Sequence, residues 1–152
     1  MPRWKKLDKI SMTNKNVKVI FDTNVWISFL IGKRLGNIKS LIVNGNIRIV
    51  YTAQLIEEIE RVTKRPALQK YFPEEKVSEL IEFLEAIGTN VQIRPIHFIN
   101  RDPKDNFLLD LINFSKADYL VTGDKDLILH NPFETAKILS PAEFEKVIAE
   151  ID

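Results

Sequence analysis

An α/β domain, in which helices cover both faces of a parallel sheet, is the fold class that the sequence predicts. Short β-type runs alternate with longer helical patterns along the chain, and this order favours parallel strands joined by right-handed crossovers. The chain has 152 residues, of which 45% are hydrophobic and 28% charged, as expected of one globular domain.

The predicted elements follow from apolar periodicity and from turn residues. The strand candidates are the runs 17–21, 47–51, 91–95, 119–122 and, most weakly, 137–139. The helical patterns cover 25–30, 38–44, 53–64, 73–86, 103–115 and 141–149. Gly45 separates the second helix from the second strand. Ser140 and Glu143 form a capping box for the last helix.

The composition excludes several kinds of site. The chain has no cysteine, so disulfides and thiolate metal sites are excluded, and its two histidines argue against a histidine-rich site. Any metal ion would be held mainly by oxygen. No apolar run reaches the roughly 18 residues of a membrane span, and the N-terminus lacks the apolar core of a signal peptide. We therefore expect a cytoplasmic protein without a membrane partner.

The net charge of +1 conceals a basic N-terminus. Residues 1–18 contain six basic residues against Asp8 alone, a net charge of +5, so the rest of the chain carries about −4. We interpret residues 1–16 as a basic, flexible extension and residues 17–152 as the folded domain. Such a tail can contact phosphates or can simply be solvated, and bulk charge does not argue for nucleic-acid binding by the domain.

Three aspartates fall where a parallel sheet binds its ligands, at the carboxyl ends of the strands. Asp22 ends the first predicted strand, and Asp124 follows the fourth, where Gly123 gives the backbone freedom to turn. Asp105 begins the helix that leads into that fourth strand. A helix that follows a strand begins at the same edge of the sheet, so all three carboxylates can meet there.

Glu58 is the fourth candidate, because it lies on the apolar face of a helix. It is three residues after Leu55 and four before Val62, whereas Glu57 and Glu60 point further toward solvent. A buried carboxylate is costly unless it is paired or binds a metal ion. A glutamate on the apolar face of a helix, as at Glu58, is therefore the most unusual feature of the sequence.

Each carboxylate also has a purely structural interpretation. Asp22 can cap the helix that follows it, and Asp105 can favour a helix start through the helix dipole. Glu58 can form an ion pair with Arg61 or Lys104. These interpretations weaken together, because all the carboxylates would have to reach one edge by accident. Four converging carboxylates repel one another unless Mg²⁺ or Mn²⁺ binds, and such sites suit phosphodiester hydrolysis.

From residue 17 to about residue 144 the chain resembles the PIN-domain nucleases, in the branch of toxin components of prokaryotic toxin–antitoxin systems. Four segments carry the resemblance in order: "VIFDTNVWIS", "QLIEEIERVTKRP", "RDPKDNFLLDLI" and "ADYLVTGDKDL". The last is the most specific. Two points depart from the pattern: Glu57 and Glu60 compete with Glu58 for the second motif, and Leu109 and Asp110 are bulkier and more acidic than usual.

The resemblance implies a three-layer α/β/α fold with a five-stranded parallel sheet and a Mg²⁺- or Mn²⁺-dependent endoribonuclease acting on single-stranded RNA. The implied catalytic and metal-binding carboxylates are Asp22, Glu58, Asp105 and Asp124. Asp126 is implied as a supporting or alternative metal ligand, with Asn24 and Thr122 as polar neighbours. The resemblance also implies a homodimer and a cognate antitoxin protein as partner.

RNA can reach an acidic site only if local basic groups guide its phosphates. The candidates near the carboxylates are Arg61, Lys64, Arg65, Lys104 and Lys125. The main alternative is a PIN-like module that binds RNA or a protein without cutting. The complete set of four carboxylates argues against that alternative.

Overall fold

The computed structural model describes residues 17–32 and 35–151. The basic extension predicted for residues 1–16 lies outside the described residues. The elements in chain order are β1 (Val17–Phe21), α1 (Thr23–Ile31), α2 (Leu35–Val43), β2 (Ile47–Tyr51), α3 (Ala53–Thr63), α4 (Glu74–Ile87), β3 (Thr89–Asn90), a 3₁₀ turn (Pro103–Asp105), α5 (Asn106–Ser115), β4 (Tyr119–Val121), α6 (Lys125–Ile128), β5 (Lys137–Leu139) and α7 (Pro141–Ile151).

The sheet has five parallel strands in the order β3-β2-β1-β4-β5, flanked by helices. The predicted three-layer α/β/α fold is thus confirmed. β1 is the central strand: Val17 pairs with Ile47 on one side and Val19 with Tyr119 on the other. The strand order reverses between β1 and β4, and open α/β sheets bind ligands at the carboxyl ends of the strands at such a point.

Alternating side chains of β1 supply two cores, one on each face of the sheet. Val19 and Phe21 belong to one cluster, and Ile20 belongs to the other together with residues of α5. In the first cluster the Phe21 ring packs edge to face on Trp26, with centroids 5.2 Å apart, and on Phe144, with centroids 5.6 Å apart. Burial of β1 on both sides fixes the position of the residue that follows it.

The prediction of a strand at 91–95 is wrong. The third strand is Thr89–Asn90, and its ladder ends where Val91 N–H donates to the Tyr51 carbonyl at 2.8 Å. Val91 and Ile93 still pack on the second core cluster, which explains their apolar character. Further along this segment, the backbone amides of Ile96 and His97 donate to the buried Asp110 side chain of α5 and not to a neighbouring strand.

Other boundaries shift by small steps. The helix predicted at 25–30 begins at Thr23, and the pattern at 103–115 divides into the 3₁₀ turn and α5. β4 ends at Val121, so Thr122 belongs to the turn, and the short helix α6 was not predicted. The capping box of α7 is confirmed by reciprocal bonds of 3.2 Å between Ser140 and Glu143. No helix in the described part of the chain is long and apolar enough to cross a membrane.

Candidate active site

A small polar cavity of about 230 Å³ opens at the carboxyl ends of β1 and β4. All four carboxylates proposed from the sequence line it: Asp22, Glu58, Asp105 and Asp124. They come from four different elements, namely the end of β1, the middle of α3, the 3₁₀ turn and the turn after β4. The fold therefore brings together side chains that are up to about 100 residues apart in the chain.

Asp22 is the most buried of the four, with 6% of its surface exposed. Its Oδ1 accepts a hydrogen bond from the Val25 backbone amide at 2.8 Å, which caps α1, and its Oδ2 accepts one from the Thr122 hydroxyl. Burial raises the pKa of Asp22, although both hydrogen bonds lower it; the nearby charges of Asp124 and Glu58 raise it further. Asp22 therefore both caps α1 and lines the cavity.

Glu58 is held by two partners at the cavity wall. The Thr23 hydroxyl donates to Glu58 Oε2 at 2.6 Å, and Arg61 Nη2 lies 3.5 Å from Oε1. The Glu58 side chain is 16% exposed. Its rivals line other surfaces, since Glu57 faces a neighbouring groove and Glu60 a cavity between α3 and α4. The structure thus favours Glu58 as the α3 carboxylate of this cavity.

Thr23 is a site residue that the sequence reasoning missed. It is 6% exposed and connects α1 to α3 through its bond to Glu58. The signal in the sequence is its position directly after Asp22. The first residue of a helix that begins where a strand ends lies at the same edge of the sheet as the end of that strand.

Asp105 stands at the end of the 3₁₀ turn, which Asp102 caps by accepting a hydrogen bond from the Lys104 amide at 3.2 Å. Its pKa is raised to about 7. Burial is the main cause, and the negative charges of Asp102, Glu58 and Asp124 add to it, while Lys104 lowers the value. The cavity therefore concentrates acidic groups, because five carboxyl groups line it against the three cations Arg61, Arg65 and Lys104.

Thr122 connects the Asp22 carboxylate to the backbone of the turn after β4. The fully buried hydroxyl donates to Asp22 and accepts from the Asp124 backbone amide at 3.0 Å. Asp124 in turn caps α6, since its Oδ1 accepts from the Asp126 amide at 2.9 Å. The β1 and β4 ends are thus coupled through one hydroxyl group.

The remaining predicted residues occupy different positions around the cavity. Asn24 is exposed and lines it, whereas the Asp126 carboxylate is oriented toward Arg101, 3.9 Å away. Three of the predicted basic residues line the cavity, namely Arg61, Arg65 and Lys104. Lys64 lines the cavity between α3 and α4, and Lys125 is exposed at the start of α6.

The donor set suits a hard divalent cation, because it consists of carboxylate oxygens with hydroxyl neighbours. Burial is the main cause of the raised pKa values of Asp22 and Asp105, and repulsion from neighbouring carboxylates, which such a cation would relieve, adds to it. Within residues 17–32 and 35–151, however, no three acidic, histidine or cysteine side chains are grouped closely enough to hold a metal ion.

Comparison with known proteins identifies a matching family model and a similar protein. A family model described as PIN domain matches residues 18–126, a range that contains all the carboxylates of the cavity. An uncharacterized protein of Methanocaldococcus jannaschii is 35% identical over an alignment of 128 residues that covers 81% of this chain and 77% of that protein.

Proposed function

The chain belongs to the PIN domain family, and from that premise we propose that it is a metal-dependent endoribonuclease that hydrolyses phosphodiester bonds of single-stranded RNA. PIN domains are generally nucleases, and those nucleases generally use divalent metals. The observation that carries the proposal is the convergence of four carboxylates on one cavity where the strand order reverses. Their charge and oxygen chemistry suit Mg²⁺ or Mn²⁺.

Asp22, Glu58, Asp105 and Asp124 would hold the cation, with Asp126 as a supporting ligand after rotation away from Arg101. A bound Mg²⁺ or Mn²⁺ would supply Lewis-acid stabilisation of the phosphate and activation of the attacking water. The protein's own part is orientation. The Thr122 and Thr23 hydroxyls fix one oxygen each of Asp22 and Glu58. The second oxygen of Asp22 accepts from the Val25 amide, and the second oxygen of Glu58 lies 3.5 Å from Arg61 Nη2.

The basic residues at the cavity wall give the phosphate backbone a path to an acidic site. Arg61, Arg65 and Lys104 surround the carboxylates and offer charge-assisted contacts to phosphate oxygens. Arg61 also pairs with Glu58, so it connects the substrate path with a proposed ligand.

The test is cleavage of an end-labelled single-stranded RNA with Mn²⁺ or Mg²⁺ and with EDTA. Wild-type protein should cut only with the metal, and Asp22→Asn or Glu58→Gln should lower the rate about 100-fold or more, about 2.7 kcal/mol of barrier. Glu60→Gln is the matched control, because this carboxylate of the same helix faces the cavity between α3 and α4. Wild-type activity in Asp22→Asn would contradict the mechanism. RNA binding without cleavage by the wild type would support the non-cutting module.

We also propose that this ribonuclease is the toxin of a toxin–antitoxin pair and acts in the cytoplasm as a homodimer. The adjacent reading frame is the direct test: it should encode a small protein that binds the chain and suppresses RNA cleavage. A neighbouring product that leaves cleavage unchanged would contradict the toxin role.

A further inference from the structure

An open groove of about 570 Å³ adjoins the carboxylate cavity and shares Glu58, Arg61 and Lys104 with it. Its other walls come from α3, residues 93–98 and the start of α5. Its volume lies within the range of about 300–1,000 Å³ that is usual for small-molecule sites. We propose that this groove binds an unpaired nucleotide flanking the scissile phosphate, with its base stacked on Phe98. The inference rests on the proposed function and adds a subsite to it.

Phe98 has the features of a stacking platform. Phe98 lines the groove and is 74% exposed, whereas the other phenylalanines in the described part of the chain are buried or half-buried. Aromatic rings stack on any base, provided that the base is free of a duplex, so such a platform selects single strands without reading sequence.

The backbone around Phe98 is fixed on both sides by buried polar groups of α5. Asp110, 2% exposed, accepts hydrogen bonds from the Ile96 amide at 3.1 Å and from the His97 amide at 2.8 Å. Asn106 accepts one from the Asn100 amide at 2.9 Å. These anchors explain why an acidic residue occupies a buried helix position, and they present the ring in a defined place.

The charges of the groove fit a nucleotide. Arg61, Arg94 and Lys104 are exposed cations of the lining, and Glu57 is its remaining exposed acidic group. Each cation has a protein neighbour: Arg61 and Lys104 lie 3.5 and 3.6 Å from Glu58 and Asp102, and the Arg94 guanidinium lies 5.7 Å from the centroid of the Phe114 ring. The other two acidic groups have protein partners: Glu58 is paired with Thr23 and Arg61, and Asp110 accepts the two amides. Ile93, Pro95 and Phe107 provide apolar walls for a base.

Exposed apolar side chains can also mark a surface for another protein. Ile96 and Ile99 flank Phe98 and are 38% and 59% exposed. RNA is the better occupant, because Phe98 faces a groove that is continuous with the carboxylates and has cations on its walls.

Binding of a fluorescein-labelled octaadenylate tests the subsite. All proteins carry Asp22→Asn so that the RNA stays intact, and affinity is measured by fluorescence anisotropy. Phe98→Ala should weaken binding about fivefold to a hundredfold, as removal of one base–aromatic stack does. Phe98→Tyr should bind within about twofold of the parent, since it keeps the ring. An oligonucleotide with 2-aminopurine should lose fluorescence on binding the parent and Phe98→Tyr, but not on binding Phe98→Ala.

Ile99→Ala is the matched control, because this exposed neighbour lies outside the lining of the groove. Equal affinity and equal quenching in Phe98→Ala and its parent would overturn the subsite while leaving the nuclease proposal intact. Wild-type protein that neither binds nor cuts RNA would overturn both. If RNA affinity is unchanged and Phe98→Ala instead separates a dimer in sedimentation, the subsite is overturned and the patch is an interface between copies of the chain.

Discussion

At the residue scale, hydroxyl groups organise the acidic cavity. Thr23 and Thr122 are both almost fully buried, and each donates to one proposed metal ligand, Glu58 and Asp22 respectively. A hydroxyl satisfies one carboxylate oxygen without neutralising the charge. The cavity therefore stays negative, and its carboxylates carry raised pKa values where burial is greatest or like charges are close.

Asp105 makes the metal-free protein less stable as the pH rises. Its pKa is about 7 in the folded chain, against 3.8 for a free aspartate, mainly because of burial and then because of Asp102, Glu58 and Asp124. The folded state retains the proton between these values, so this contribution to stability is complete below about pH 4 and is lost as the pH rises toward 7.

Asp105→Asn should therefore raise the melting temperature in EDTA at pH 8 and have little effect at pH 4. Differential scanning calorimetry across this range measures the change, with the exposed Glu57→Gln as control. An equal shift at both pH values would show that the charge of Asp105 is not the cause.

At the element scale, α5 covers the sheet and also holds the backbone of the segment that contains Phe98. Its buried Asp110 and Asn106 side chains hold the backbone on both sides of Phe98, just after the segment 91–95 for which sequence periodicity predicted a strand. The prediction failed because apolar alternation indicates that Val91 and Ile93 pack against a core, as these half-buried side chains do, but does not indicate which backbone groups form hydrogen bonds. The strands with regular ladders, Val17–Phe21, Ile47–Tyr51 and Lys137–Leu139, matched their predicted bounds.

Asp110→Ala should release this segment. Removal of the acceptor leaves the His97 amide without its 2.8 Å bond, and hydrogen bonds to a charged group contribute about 1.5–3 kcal/mol. We expect a decrease of that size in the free energy of urea unfolding and faster hydrogen exchange at Ile96 and His97. Asp110→Asn, which keeps a carbonyl acceptor, should be destabilised less. Unchanged exchange in Asp110→Ala would show that the segment is held by other interactions.

At the scale of the whole molecule, the topology explains which parts of the site could be predicted from the sequence. Asp22 and Asp124 were predictable because residues after neighbouring parallel strands share one edge. The bond from Thr23 to Glu58 joins residues 35 positions apart, and the pairing of Asp126 with Arg101 also depends on tertiary placement. Periodicity within one helix carries no information about such pairings.

The tertiary structure also places two adjacent basic residues, Lys64 and Arg65, in different cavities. Arg65 lines the carboxylate cavity, whereas Lys64 lines the cavity between α3 and α4. Removing one cation that binds a phosphate of single-stranded RNA lowers the slope of log affinity against log salt by about 0.7. We therefore expect Arg65→Ala to flatten the salt dependence of RNA binding by about that amount, with Lys64→Ala as the unchanged control. Equal slopes for both variants would show that RNA follows another path.

The central claim is that carboxylates from separate elements act as one metal-dependent catalytic site. The most direct measurement is the rate of Mn²⁺-dependent RNA cleavage by Asp22→Asn, Asp124→Asn and the double variant. Groups that act as a unit are strongly non-additive, so each single substitution should remove most of the activity and the double variant should lose little more. Single variants with near wild-type rates, or losses that simply multiply in the double variant, would contradict a shared site.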